Sequence, residues 1–336
     1  MTENIRNMEG YSPCRLCPRQ CNIDRTLAKG FCNEKSTLHV SRASLHMWEE
    51  PCISGKNGSG TVFFSGCNMG CVFCQNYEIS RGRIGKNIDI GRLVEIFFEL
   101  KKKGANNINL VTGDIFIPTI RIAIEKAKSE GFDLPFLMNT SSYITVDTLK
   151  SLEGLIDIYL PDMKYIRESD AVKYSNSPGY PEAAKAAIAE MVRQQPECIF
   201  TQRDAGDAEA EYKDDLNDTA EYRDDPEDEY DSGRLIKKGV IVRHLLLPGM
   251  LIQAKLIVRY LYQTYGDSIY ISLMNQFTPD SEKLSERYPE INRKVTEYEY
   301  KSLVDYAAEL GVTNGFIQVG ETAEESFIPA FDLTGV

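Results

Sequence analysis

Three cysteines, Cys67, Cys71 and Cys74, stand at C-x3-C-x2-C on one short segment. Thiolates are the ligands of iron–sulfur clusters and of many zinc sites. A four-iron cube held by only three protein thiolates keeps one iron without a protein partner. An open position is what separates a reactive metal centre from a closed structural one. The plainer reading of the same residues is a set of buried or zinc-binding cysteines that happen to lie close together. The run before them, Thr61-Val62-Phe63-Phe64, is β-branched and aromatic and is followed by Ser65-Gly66. It predicts a strand whose C-terminal end delivers the cysteine loop, where α/β folds place their chemistry.

This spacing and setting resemble the radical S-adenosylmethionine superfamily. The resemblance implies that Cys67, Cys71 and Cys74 hold a [4Fe-4S] cluster. Its open iron would be chelated by the amino and carboxylate groups of S-adenosylmethionine. Phe73, just before the third cysteine, would pack near the adenine. The resemblance also implies the fold: α/β, a partial (β/α)6 barrel of the TIM type.

A second group, Cys14, Cys17, Cys21 and Cys32, has the pattern C-x2-C-x3-C-x10-C. Four thiolates on loop-rich backbone suit either a closed tetrahedral zinc site or a fully ligated iron–sulfur cluster, and Cys52 is an alternative member. Short segments that cannot build a core are commonly held by metal, so the expected role is structural. Cys17-Pro18-Arg19-Gln20-Cys21, with Asp24-Arg25 and Gly30-Phe31-Cys32, resembles the front end of one subgroup. That subgroup is the uncharacterised radical proteins described as similar to pyruvate formate-lyase activating enzymes.

S-adenosylmethionine presents a zwitterionic methionine, a ribose diol, an adenine and a sulfonium. A site for it needs acceptors for the ammonium, donors for the carboxylate and backbone edges for the adenine. Polar segments follow the predicted strands in order. Thr112-Gly113-Asp114 stands where the superfamily places a Gly-Gly-Glu type element beside the methionine ammonium. Here one Gly is present and Asp replaces Glu, so Gly113 and Asp114 are the candidates. Asn139-Thr140-Ser141-Ser142-Tyr143 supplies short hydrogen-bonding groups, with Asn139 and Ser141 as candidates. Asp162-Met163-Lys164 resembles the Asp-x-Lys of activating enzymes, which contacts the ribose and the methionine carboxylate. Residues 243–249 resemble the segment that lines the adenine through its backbone, with His244 and Leu247 as candidates. Each motif alone has a plainer reading: an ion pair, a turn, a structural histidine. Their shared order, each after a strand and downstream of the cysteine loop, joins them.

Two departures limit the resemblance. Activating enzymes carry a histidine shortly after their Pro-Gly turn, whereas this chain has only His39, His46 and His244. One large class also carries a double-ferredoxin cysteine insert just after the cluster loop; here a helix is predicted to start soon after, at about Asp89. Both departures bear on the substrate and leave the cofactor chemistry intact.

These groups need a scaffold. Strand-like runs are predicted at 61–64, 107–112, 135–138, 155–160, 240–246 and 268–273. Helical spacing appears between them, over 90–98 with Asp89 as N-cap, over 120–125 and over 182–194. Six strands alternating with helices predict a parallel sheet with right-handed crossovers, which curls into a barrel or stays open and doubly wound. Residues 1–55 read as an irregular cysteine-rich metal-binding extension, and 56–336 as the barrel. From Asp204 to Asp231 there are 14 acidic residues against Lys213 and Arg223. That balance of −12 equals the net charge of the whole chain. The stretch, taken as about 199–233, cannot bury enough apolar surface to offset its chain entropy and is expected to be a disordered insertion.

No apolar run approaches the roughly 18 residues of a membrane span, and the start has no signal-peptide core. A cytoplasmic protein with no membrane and no nucleic-acid partner is expected, since charge outside the acidic stretch is balanced. Nine cysteines in such a chain point to metal or redox chemistry instead of disulfides. The expected function is reductive cleavage of S-adenosylmethionine to a 5′-deoxyadenosyl radical, which abstracts a hydrogen atom from a substrate. That substrate is a protein of the glycyl radical enzyme kind or a small molecule. The expected partner is a one-electron donor of the flavodoxin or ferredoxin type, and anaerobic life is implied. The alternatives are a non-catalytic metal or iron–sulfur adapter and an electron-transfer protein; simple carriers use four ligands per cube.

Overall fold

The computed structural model describes residues 10–201, 233–279, 284, 286–318 and 328–336. Most of the acidic stretch lies outside the described residues. The described strands are β1 (Leu38–His46), β2 (Ser59–Phe64), β3 (Lys86–Ile88), β4 (Ile108–Val111), β5 (Phe136–Thr140), β6 (Ile158–Pro161), β7 (Ile199–Phe200), β8 (Ile236–Leu245), β9 (Tyr270–Met274) and β10 (Gly315–Ile317). The helices are α1 (Pro51–Ser54), α2 (Tyr77–Ser80), α3 (Ile90–Lys102), α4 (Ile117–Ser129), α5 (Val146–Lys150), α6 (Glu168–Ser175), α7 (Tyr180–Gln194), α8 (Leu251–Tyr265) and α9 (Glu297–Glu309).

The sheet order is β10-β9-β8-β6-β5-β4-β2-β1-β3, and it does not close. From β2 to β10 the pairing is parallel throughout. All six expected strands are present within a few residues of their predicted bounds. The structure adds β10 as a seventh parallel strand. It also adds β1, pairing antiparallel with β2 inside the stretch read as irregular. Its sequence, Leu-His-Val-Ser-Arg-Ala-Ser-Leu-His, mixes polar and apolar residues and sits beside a cysteine-rich segment, which masks the strand signal.

Strand alternation explains how the sheet curls. Leu110, Met138, Tyr159, Val242 and Leu273 pack outward against the helices, where Phe97 of α3 meets Phe136 at 5.1 Å. Leu137, Ile158, Leu160 and Ile241 face the other way and form a separate apolar cluster with Cys52 and Ile53 of α1. The concave side therefore has a dry floor, closed from below by α1. The helix is held there because Asn107 Nδ2 donates to the Ile53 carbonyl (2.9 Å) and Asn106 Nδ2 to that of Ser54 (2.6 Å). Above this floor the inward positions turn polar: Asn109, Asn139, Arg243 and Ser272.

Local signals fix the helices that brace the strands. Asp89 caps α3 by accepting from the Arg92 amide at 2.8 Å, worth about 1 kcal/mol. Lys101 and Lys102 sit at its C-terminal end, where the helix dipole favours cations. At the far end of the chain, residues 328–336 return to β1: the Ala43 amide donates to Thr334 (2.9 Å), and Phe331 packs on Phe63 at 5.5 Å. Among the described residues no helix is long and apolar enough to cross a membrane.

Candidate functional site

Past the end of β2 the chain turns at Gly66, whose φ is +85°. A Cβ there would stand 2.9 Å from the Cys32 carbonyl and would strike the Glu34 side chain, so the N-terminal segment leaves room only for glycine. The loop that follows is tied down on every side. The Gly70 and Val72 amides donate to the carbonyls of Ser175 (2.8 Å) and Tyr174 (2.9 Å). Asn68 Nδ2 donates to Tyr143 (2.6 Å), and Arg19 Nε donates to the Asn68 carbonyl (3.0 Å).

Cys67, Cys71 and Cys74 all line one cavity of about 340 Å³. Ser175 Oγ donates to Cys71 Sγ at 2.9 Å, and the Met69 amide donates to Cys67 Sγ at 3.4 Å. Burial and the neighbouring sulfurs push the Cys67 and Cys74 thiols above their ordinary range. Left to themselves these groups stay protonated; a bound metal reverses that balance, because the thiolate is the ligand. No group of three or more His, Cys, Asp or Glu among the described residues converges at the spacing of a single ion. Around one zinc, sulfurs bound at about 2.3 Å would stand roughly 3.8 Å apart. A cube gives each cysteine its own iron and spaces the sulfurs more widely.

Every parallel strand contributes to the cavity: Phe63 from β2, Val111 from β4, Asn139 from β5, Asp162 just after β6, Arg243 from β8, Ser272 from β9 and Phe316 from β10. Arg243 organises the polar zone. Its Nη1 lies 3.1 Å from Glu49 Oε2, its Nε 3.3 Å from Asp162 Oδ1, and its Nη2 2.5 Å from Asn139 Oδ1. Lys164 Nζ reaches the other Asp162 oxygen at 2.6 Å. Asn109 Nδ2 donates to Glu49 Oε1 at 2.8 Å. Lys164 and Arg243 hold the Asp162 carboxyl below its usual range against the cost of burial. A buried network with its partners in place is rigid, which suits a group that must orient a ligand.

The sequence-predicted residues divide into two sets. Cys67, Cys71, Phe73, Cys74, Asn139, Ser141, Asp162 and Lys164 line the cavity, and Phe73 rests against Phe277 at 6.0 Å. Gly113, Asp114, His244 and Leu247 lie behind its wall. Asp114 is buried in a 3-10 turn after β4, and burial pushes its pKa up to about 7 against the pull of the neighbouring Thr140 hydroxyl and Ser141 amide. It is close enough to Cys67 to help raise that thiol. His244 Nδ1 donates to the Met163 carbonyl (2.8 Å), and burial pushes its pKa down to about 4, so the ring stays neutral. Leu247 is buried in the main core.

Sequence reasoning missed His46, Trp48, Glu49 and Glu50, which line the cavity, and read Arg243 only as backbone. The signal was a pair of acidic residues directly before the Pro51 that starts α1. Nothing local says that this turn reaches the concave side.

The N-terminal cysteines lie outside the cavity. Cys14, Cys17 and Cys32 are buried and Cys21 is partly so; Gly30 lies between the Cys21 and Cys32 sulfurs, each 3.5 Å from where its Cβ would be. Burial pushes the Cys17 thiol up to about 12, and Cys14, Cys32 and Cys21 add to the rise. The four thiols therefore gather, though not at the spacing of one ion. Cys52 does not join them; it sits in the dry floor beside Cys198.

Residues 61–201 match the radical SAM superfamily. An uncharacterized protein of Methanocaldococcus jannaschii is 24% identical over 308 residues, which cover 88% of this chain and 75% of that one. Among solved structures, Streptococcus suis SuiB bound to precursor peptide SuiA aligns with a TM-score of 0.44 at 11% identity, over 76% of this chain and 47% of that one. The FeFe-hydrogenase maturase HydG from Carboxydothermus hydrogenoformans aligns with a TM-score of 0.44 at 12% identity, over 80% and 59%. The chain thus spans about half the length of these solved relatives.

Proposed function

We propose, from the premise that this chain belongs to the radical SAM superfamily through residues 61–201, that it is a hydrogen-abstracting enzyme whose chemistry takes place in the cavity under Cys67, Cys71 and Cys74. A [4Fe-4S] cluster and S-adenosylmethionine supply, when bound, a one-electron reductive cleavage that yields a 5′-deoxyadenosyl radical. The protein's part is positioning and exclusion of water. The three thiolates hold the cluster, and the Ser175 hydroxyl donates to one of them. Asp162 and Lys164, locked to each other and to Arg243, orient the ribose and the carboxylate of the cofactor. Phe63, Phe64, Phe73 and Phe316 make the walls that exclude water.

The observation that carries this reading is that three partly exposed cysteines, from one strand-end loop, open on the same cavity as the pinned Asp162–Lys164–Arg243 network. The substrate is a protein, of the kind activated through a backbone glycine, or a small molecule. A flavodoxin or ferredoxin type donor supplies the electron in an anaerobic cytoplasm. Cys14, Cys17, Cys21 and Cys32 form a second metal site that braces the loop through Arg19.

The test is anaerobic reconstitution with iron and sulfide, followed by dithionite and S-adenosylmethionine. Formation of 5′-deoxyadenosine is expected. A full cluster that yields none overturns the enzyme reading in favour of an adapter or carrier.

A further inference from the structure

The cavity has a second end. Away from the cysteines it is bounded by His46, Trp48, Glu50, Pro51, Ile328 and Pro329. Here stands Glu50, only 9% exposed, whose Oε2 is buried and has no hydrogen-bond partner. Burying a carboxyl group costs free energy unless a donor meets it.

The cavity's own charges do not supply that donor. Its lining carries three carboxylates, Glu49, Glu50 and Asp162, against two cations, Lys164 and Arg243. His46 adds none, since burial and the nearby Arg243 and Arg42 push its pKa down to about 4. Lys164 is engaged by Asp162. The guanidinium of Arg243 spends its three nitrogens on Glu49, Asp162 and Asn139. Three of its five N–H groups are so used; Arg243 is near enough to attract Glu50 without meeting its Oε2. Carboxyl groups thus outnumber cations in the lining by one, and Glu50 is the one left without a full partner; burial pushes its pKa up, so its charge is costly until a cation meets it. Its polar neighbours are the Ser272 hydroxyl, Arg243 and Glu49, while Pro51, Ile328 and Pro329 give the lining its apolar part.

We propose that Glu50 is the recognition group for the substrate, and that the substrate presents a positively charged nitrogen, an ammonium or guanidinium, on an apolar stem. This inference rests on the function proposed above, since it assigns the cofactor to the cysteine end and the substrate to the opposite end. It names a residue and a ligand class that the cysteine loop and the strand-end motifs do not.

The sole tryptophan of the chain, Trp48, lines this end and reports on it by its own emission. Butylammonium and butylguanidinium are titrated into the reconstituted protein, with butanol and butyrate as isosteric controls. Nα-acetyl-lysine amide forms a further arm, which tells a peptide side chain from a free amine. The cations are expected to shift Trp48 emission saturably, and Glu50→Gln to weaken them about ten- to one-hundred-fold, the loss of a hydrogen bond to a charged group. Glu50→Asp, which keeps the charge, should retain selectivity for the cations over butanol, and it carries the test if Glu50→Gln does not fold. Three results overturn the proposal: butyrate or butanol binding as well as the cations, Glu50→Gln binding them unchanged, or no saturable shift with any cation. Formation of 5′-deoxyadenosine by the unaltered protein is measured beside the titration. Its absence overturns the proposed function, whereas the titration speaks to Glu50 alone.

Discussion

The two cysteine regions share a C-x2-C step and are built in opposite ways. Around Cys14 and Cys17 the backbone folds on itself: the Cys14 amide donates to Ile23 at 2.8 Å and the Asn22 amide to Cys14 at 3.1 Å. Three of its four cysteines are buried, and none lines the cavity. Around Cys71 and Cys74 the loop is instead held from outside, by Ser175, Tyr174, Tyr143 and Arg19, and its three sulfurs open on the cavity. A closed group can only stabilise, because no ligand can approach it. A group pinned by its neighbours, with one side left open, can react. One contact between the two runs through Arg19. Its guanidinium donates to the carbonyls of Asn68 and Asn176 and stacks on Phe31 at 3.6 Å.

Four substitutions break or sharpen this contrast. Cys71→Ala should abolish 5′-deoxyadenosine formation and remove the iron of the open loop, read by product assay and metal analysis. Activity surviving that change would erase the distinction. Cys17→Ser should lower stability, by about 1–3 kcal/mol from an unsatisfied buried hydroxyl alone, while the open loop keeps its iron. Urea unfolding with metal analysis checks it, and loss of iron from both groups would make them one unit. Arg19→Ala should cost about 1–3 kcal/mol and hasten loss of the cluster to a chelator. Unchanged chelation kinetics would show that the extension does not brace the loop. Ser175→Ala is the mildest change. Losing one hydrogen bond to a ligand sulfur, worth about 1 kcal/mol, should lower the cluster's reduction potential in a redox titration monitored by electron paramagnetic resonance.

The parallel frame was legible because its signals are local. The β-branched and apolar runs at 61–64, 107–112 and 240–246 name their own strands, and polar residues directly after them name one rim of the cavity. Asp162 and Lys164 were found this way. β10 escaped because it is three residues long and only partly buried. β1 escaped because its pairing with β2 spans a turn of 12 residues, 47–58, whose helix α1 has a weak signal of its own. With β1 went Glu49 and Glu50, carried to the concave side by a non-local antiparallel pairing. Asp114 and His244 were named by their position after a strand, yet neither lines the cavity; a single φ of +59° at Thr112 begins the turn that tucks Asp114 behind the wall.

One wall of the cavity has a consequence for how the protein is made. Ile328 and Pro329 border the cavity and Phe331 seals against Phe63, yet these residues are translated more than 120 positions after the last cysteine, Cys198. While the chain is still leaving the ribosome, every thiol has already emerged and that flank of the barrel is bare. Only when Ile328 and Pro329 arrive does that wall of the cavity take its finished form.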